Sequence, residues 1–276
     1  MIKKPLAGVK NLHSDPLSGM LIDAWAFNEE TGGTIGTRTG RRSTAVGSPV
    51  WQMGRLGKEV SFDAATQNFT SANYATAHPM LTVAVIAKSV ETAVTGNNQI
   101  LFHTATTAAG TYFVGNRKNN PTNNLAMTKA GVVEAISSTC VWPLNDGHYY
   151  YAAAASDGAT VDFMLKGLTV QSRLVQTGVS IAGAESAGNG TYSLGSYGPD
   201  KAFSWNGTIV AIFVWRQKIP ISALTEHSAN VWRMFQSPNP VVLQGTASAA
   251  TAGLRFNASL NGLGGSGPFF HDRLSA

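Results

Sequence analysis

The sequence predicts an all-β fold: two antiparallel sheets packed face to face as a sandwich, with one short C-terminal helix and extended terminal arms. Three observations carry this reading. Charged residues are only 13% of the chain against 43% apolar, and 29 of its 276 residues are glycine, a balance that suits many short strands joined by tight turns. Strand-like apolar runs recur along most of the length, separated by turn-prone residues. A single stretch has helical spacing, and strands followed by one late helix argue against alternating βα units and the nucleotide-binding folds built from them.

Taken in order, residues 1–19 carry Pro5, Gly8, Pro16 and Gly19 without sustained periodicity and read as an N-terminal extended arm. The sandwich is expected over 20–240. Its first strand places Leu21, Asp23, Trp25 and Phe27 on one side and Met20, Ile22, Ala24 and Ala26 on the other. Thr31 to Gly40 reads as a Gly- and Thr-rich loop. Strands are then expected at 58–63, 80–88, 99–104, 111–116, 124–129, 132–137, 149–156, 160–167, 192–197 and 207–215. Asp146-Gly147 and Asp157-Gly158 lie between apolar strands and read as type I′ hairpin turns. The helix is expected from Pro220 to about Phe235, with Ile221, Leu224, Ser228, Val231, Trp232 and Phe235 on one face, Pro220 in the first turn and Pro238 as the stop. Residues 241–276 are rich in Ala, Gly, Ser and Thr and form a C-terminal arm with too few large apolar side chains to fold alone.

The same residues exclude several functions. The formal charge of +5 is spread from Lys3 to Arg273 without a dense run, so it reads as solvated surface rather than a nucleic-acid footprint. Cys140 is the one cysteine, which rules out an intramolecular disulfide or a Cys-based zinc cluster. The N-terminus lacks the apolar stretch of a secretion signal, and apolar runs such as Ile209 to Trp215 are too short to span a bilayer, so no membrane partner and folding in the host cytoplasm are expected. The six histidines show no short metal-ligand spacing. Gly262, Gly264 and Gly267 spell G-x-G-x-x-G, but no strand precedes them and Pro268 follows, so the segment reads as a tether; no cofactor is expected. None of the fifteen Asp and Glu residues lies two positions from another, so the paired carboxylates of a glycosidase strand are missing. Asp23, Glu29, Asp63 and Asp162 remain as single acids, each expected in an exposed or turn-forming role.

Several stretches, read together, resemble the laminin-G-like, concanavalin A-like domains frequent in phage and environmental bacterial proteins. LSGMLIDAWAFNEETGG (17–33) is similar to their opening strand, and WQMGRLGKEVSFD (51–63) to the Gly-x-x-Gly turn and strand ending in Phe-Asp. GHYYYAAAASDGATVDFMLKGLTV (147–170) resembles their hairpin, with Leu165-Lys166-Gly167 where the family has Asn-Gly. FSWNGTIVAIFVW and the helix after it are similar to the domain's end, with Val231 replacing the first proline of Asn-Pro-Trp-x-x-Phe-x-Pro. The resemblance covers about residues 17–240 and implies a jelly-roll sandwich.

With terminal arms and no paired acids, this sets the expectation of a non-enzymatic structural accessory protein of a bacteriophage virion, a capsid decoration or cement protein. Its expected partners are other virion proteins, the major capsid protein first among them, and a homo-oligomer such as a trimer. The alternative is a carbohydrate- or receptor-binding module of a phage tail or fibre. Docking to a partner falls to Lys3, Lys4 and Lys10 in the first arm and to Phe269, Phe270 and Arg273 in the second, where folding back onto the sandwich is the alternative for the two rings. Trp25, Trp205, Trp215 and Trp232 sit in apolar patterns and read as core. Trp51, Trp142, Tyr192 and Tyr197 lie near turns, where glycan or subunit contact and core packing stand as equal readings.

Overall fold

A computed structural model describes residues 15–29, 32–63, 67–71, 80–92, 98–104, 111–116, 123–129, 133–181, 191–197 and 203–235. The chain divides into a unit of Met1–Phe235 and another of Gln236–Ala276, the second lying wholly outside the described residues together with residues 1–14. Lys3, Lys4, Lys10, Phe269, Phe270 and Arg273 therefore all fall outside them.

Two antiparallel sheets form a sandwich. Strands are numbered in chain order. At the centre of the first sheet lies β16 (Asn206–Trp215), with β7 (Leu81–Ser89) on one side and β1 (Leu21–Trp25) and β5 (Gly57–Asp63) sharing the other. Beyond β7 follow β12 (Tyr150–Ser156), β13 (Thr160–Gly167) and β14 (Arg173–Ser180), and beyond β5 comes β4 (Val50–Gly54). The second sheet runs β11 (Val133–Val141), β10 (Asn124–Lys129), β9 (Tyr112–Asn116), β8 (Gln99–His103), β15 (Tyr192–Leu194), β6 (Asn68–Ser71), β3 (Arg42–Val46) and β2 (Gly33–Ile35).

Alternation along the strands fills the space between the sheets. One row of paired residues in the second sheet, Phe69, Leu194, Phe102, Phe113, Met127 and Ala135, points inward, and Val83, Val85, Ala152, Ala154, Ile212 and Val214 of the first sheet meet it in one apolar core. The first sheet is buried on its other face as well. There Ala84, Ile86, Ala153, Ala155, Ala211 and Phe213 pack under a third layer. This double burial is why 80–88, 149–156 and 207–215 read as unbroken apolar runs rather than alternating ones.

The third layer is helix α1 (Ile221–Ala229) followed by a 3-10 turn, Arg233–Phe235. Pro220 stands at the N-cap, and Asn230 leaves helical geometry at φ −144°, so the helix stops six residues short of Phe235, which the periodicity had included. The break lets Trp232 and Phe235 fold over Phe213, at ring-centroid distances of 6.2 and 6.1 Å. His227 is fully buried in this layer, with Nδ1 2.9 Å from the Tyr151 hydroxyl, and burial pushes its pKa down to about 3. Residues 15–19, read as the end of an extended arm, form a turn that joins the layer: Trp215 Nε1 donates to the Leu17 carbonyl (3.1 Å) and Arg233 pairs with Asp15 (2.7 Å).

Three further expectations differ from the structure for local reasons. A register shift between Leu21 and Asp23 carries Leu21 to the outer layer with Ala24 and Ala26, and Ile22 to the inner core with Trp25 and Phe27. Asp157-Gly158 does close the β12–β13 hairpin, but only Gly158 has positive φ (98°), and Asp157 Oδ1 accepts the amides of Ala159 and Thr160, so this is not a type I′ turn. Asp146-Gly147 joins no hairpin, because β11 and β12 lie in different sheets.

At one side the sandwich is fastened shut. Gln176 of edge strand β14 turns its side-chain oxygen onto edge strand β11, accepting from Ser138 N (2.6 Å), Thr139 N (3.1 Å) and Ser137 Oγ (2.8 Å). Cys140 lies buried just behind, its amide donating to Ser137 Oγ at 2.8 Å.

Candidate functional site

At the opposite side, β4 and β2 are the last strands of their sheets, and the site begins with Trp51 on β4. Pairing with Val60, an inner-core residue, turns the indole toward the space between the sheets. Among the described residues no strand lies beyond β4, and the ring is half-buried. Phe69 (5.8 Å, edge-on) and Phe27 (6.4 Å) hold it from within. Phe27 itself has φ 44°, rare for a side chain of its size, and this turns the chain away from β1 toward Glu29.

Trp51, Gln52, Met53, Glu29 and Lys58 line a pocket of about 290 Å³. Met53 is 73% exposed at its lip. The Glu29 carboxylate is held in place by Thr34 Oγ1 (2.9 Å) and the Ile35 amide (2.8 Å). On the opposite face of the β4–β5 hairpin from Trp51, the fully buried Glu59 accepts from Gln52 Nε2 (2.9 Å) and from the hydroxyl of Tyr149 (2.7 Å). Burial first, and the Glu59 carboxylate second, hold the Tyr149 phenol protonated well above its ordinary range. An aromatic face flanked by the Lys58 ammonium and the Glu29 carboxylate provides stacking plus hydrogen bonding in one place.

The structure does not gather the four turn-adjacent aromatics into one site. Trp142 is buried in the core, edge-on to Trp205 (4.9 Å) and Tyr150 (5.7 Å). Tyr192 is likewise enclosed between Trp25 (6.0 Å) and Phe102 (5.1 Å), and burial raises its phenol pKa. For these two, the structure supports packing over contact. Tyr197 is half-exposed on the outer face of the second sheet, stacked on His103 at 4.7 Å and edge-on to Phe203 at 5.7 Å. The imidazole beneath it is fully buried, and desolvation pushes its pKa down to about 3. Trp25, Trp205, Trp215 and Trp232 are buried, as their apolar patterns imply.

The four single acids have separate structural duties. Asp23 is buried, accepting from the amides of Ala24 (2.8 Å) and Arg38 (2.9 Å) and from Thr39 Oγ1. Asp63 accepts from Gln67 (3.0 Å), and Asp162 accepts from the Gly178 amide (2.8 Å) and pairs with Lys218 (3.2 Å). Among the described residues no group of three or more His, Cys, Asp or Glu could hold a metal ion, and no helix is long and apolar enough to cross a membrane. Sequence reasoning missed Glu59, Tyr149, Gln52 and Lys58. Glu59 alternates with Val60 like any outward residue of a half-buried strand, and nothing local tells that the outward face is itself covered.

No family model and no curated protein matches the chain. Solved structures do, at the level of fold. Domain 4 of a GH43 extracellular arabinanase from Geobacillus stearothermophilus, in complex with arabinotriose, aligns with a TM-score of 0.57 at 13% identity over 75% of this chain and 98% of that domain. A Trypanosoma rangeli sialidase aligns with a TM-score of 0.54 at 10% identity, over 83% of this chain but 37% of the sialidase. The enzymatically active domain of tailspike protein 2 from bacteriophage CBA120 gives 0.50 at 12% identity, over 68% of this chain and 31% of the tailspike domain. The chain thus spans nearly all of the arabinanase domain and about a third of the other two. These likenesses place the fold among β-sandwich domains.

Proposed function

We propose that the chain is a non-enzymatic carbohydrate-binding module, of the kind a phage tail or fibre uses to hold a surface glycan, and that Trp51 is its stacking platform. The observation that carries this reading is the half-exposed indole, seated on the rings of Phe27 and Phe69 beside Lys58 and Glu29 in a pocket of about 290 Å³. The arabinanase domain, solved with arabinotriose, supports the reading, and the tailspike domain supports the setting. The capsid-decoration reading draws no support from these neighbours.

A glycan array probed with wild-type protein and Trp51→Ala tests the proposal. Wild type is expected to retain at least one oligosaccharide class, and Trp51→Ala to lose most of that signal, since removing a stacking ring costs about 2 kcal/mol of binding. An array left dark by the wild type, or lit equally by both proteins, refutes it. Release of reducing sugar that disappears in Glu29→Gln would make the protein an enzyme instead.

A further inference from the structure

The latched edges β11 and β14 have an unguarded counterpart among the described residues. β4 is the last strand of its sheet and pairs only with β5. Which of its backbone groups face outward follows from the ladder. The Val90 amide donates to the Asn206 carbonyl (3.1 Å), so Asn206 turns its hydrogen-bonding groups toward β7 and, by alternation, Gly207 and Ile209 turn theirs toward β5. Val60, the partner of Ile209, therefore faces β16, and its neighbours Glu59 and Ser61 face β4, where they meet Gln52 and Val50. Trp51 and Met53 are left pointing their N–H and C=O groups into the open edge.

An edge strand is ordinarily blunted by a lysine, a proline, a bulge or extreme shortness. VWQMG has no charge and no proline and pairs with β5 in unbroken register, whereas β2 is only three residues long. The two most exposed large apolar side chains among the described residues also lie on β4, Met53 at 73% and Val50 at 57%.

We propose that β4 pairs with β4 of a second copy of this chain, antiparallel about a two-fold axis through Gln52. Each Trp51 then stands opposite the partner's Met53, and both residues are among those whose backbone groups face out, so the pair of strands closes four hydrogen bonds. The indole gains a thioether beside it, and Val50 meets the partner's Gly54 without crowding. The neighbouring symmetric registers lose bonds. An axis at Trp51 sets Met53 against Pro49, which has no N–H, and an axis at Met53 sets Trp51 against Arg55 in the β4–β5 turn. Five residues a side bury less than the roughly 1,200 Å² at which stable interfaces begin, which makes this a weak, concentration-dependent dimer. The inference stands apart from the carbohydrate reading, because pairing is measured without ligand.

The test is sedimentation velocity of the full chain from about 5 to 500 μM, where the weight-average mass is expected to rise from one chain toward two. Gln52→Lys sets two ammonium groups opposite each other at the axis and is expected to raise the concentration needed for dimer about tenfold. A crosslink reads the register itself. The two Gln52 positions form a non-hydrogen-bonded pair with Cα atoms about 4.5 Å apart, within disulfide reach, while Val50 faces a glycine. Gln52→Cys is therefore expected to oxidise to a covalent dimer at least tenfold faster than Val50→Cys, with the buried Cys140 common to both. A wild type that stays monomeric throughout, a dimer that Gln52→Lys leaves unchanged, or crosslinking no faster at position 52 than at position 50 each overturns the proposal.

Discussion

The two edges of the sandwich meet the same difficulty and resolve it in opposite ways. An edge strand leaves backbone groups unpaired and the space between the sheets unsealed. At β11 and β14 the gap is closed by a polar latch: one glutamine oxygen takes the donors that the neighbouring edge strand would otherwise leave to water. At β4 and β2 it is plugged by an aromatic ring whose inner rim belongs to the core and whose remainder is offered to solvent. A latch satisfies its partners and leaves nothing to bind with. A plug keeps an apolar surface available, and the proposed glycan contact lies there.

The largest expected effect tests whether the faces or the edges limit stability. His103 and His227 lie under the two faces, away from both edges, and burial holds their pKa values near 3 against an ordinary 6.5. The unfolded chain takes up protons below about 6.5 while the folded one does not, so their stabilisation is complete above that pH and falls as the pH drops toward 3. The slope is about 1.4 kcal/mol per pH unit for each histidine, or roughly 4 kcal/mol for both between pH 7.5 and pH 5. Urea midpoints across that range measure it, and a flat profile would mean that the imidazoles are not buried neutral.

Gln176→Ala comes next, with an expected loss of about 2 kcal/mol by denaturant unfolding and faster hydrogen exchange at Ser138 and Thr139, while oligosaccharide binding is untouched. Trp51→Ala should invert that pattern, costing about 1 kcal/mol of stability for its half-buried ring but most of the binding. If the two variants had the same signature, latch and plug would not be different devices.

How much of this was legible in the sequence follows the same divide. β7, β12 and β16 announce themselves because both their faces are apolar, and β5, β8, β9, β10, β13 and β15 by their apolar runs between turns. The strands that went unread, β2, β3, β4, β6 and β14, are mostly at or near the edges, where partial exposure admits polar side chains at any position; β14 is RLVQTGVS and β2 sits inside a stretch read as loop. The end of the helix was misjudged because Trp232 and Phe235 keep helical spacing although Asn230 breaks the backbone before them. Trp51 could be singled out as a ring near a turn, but Glu59 and Tyr149 become neighbours only through pairing across four strands, which no local pattern encodes.

Behind the glutamine latch sits the molecule's single thiol, and its seclusion makes it a reporter on the latch. Burial leaves the Cys140 thiol reluctant to ionise, so an alkylating reagent is expected to reach it through openings that part β11 from β14. With labelling slower than reclosing, the half-life in native buffer reports the free energy of that opening, with no second thiol to blur the reading.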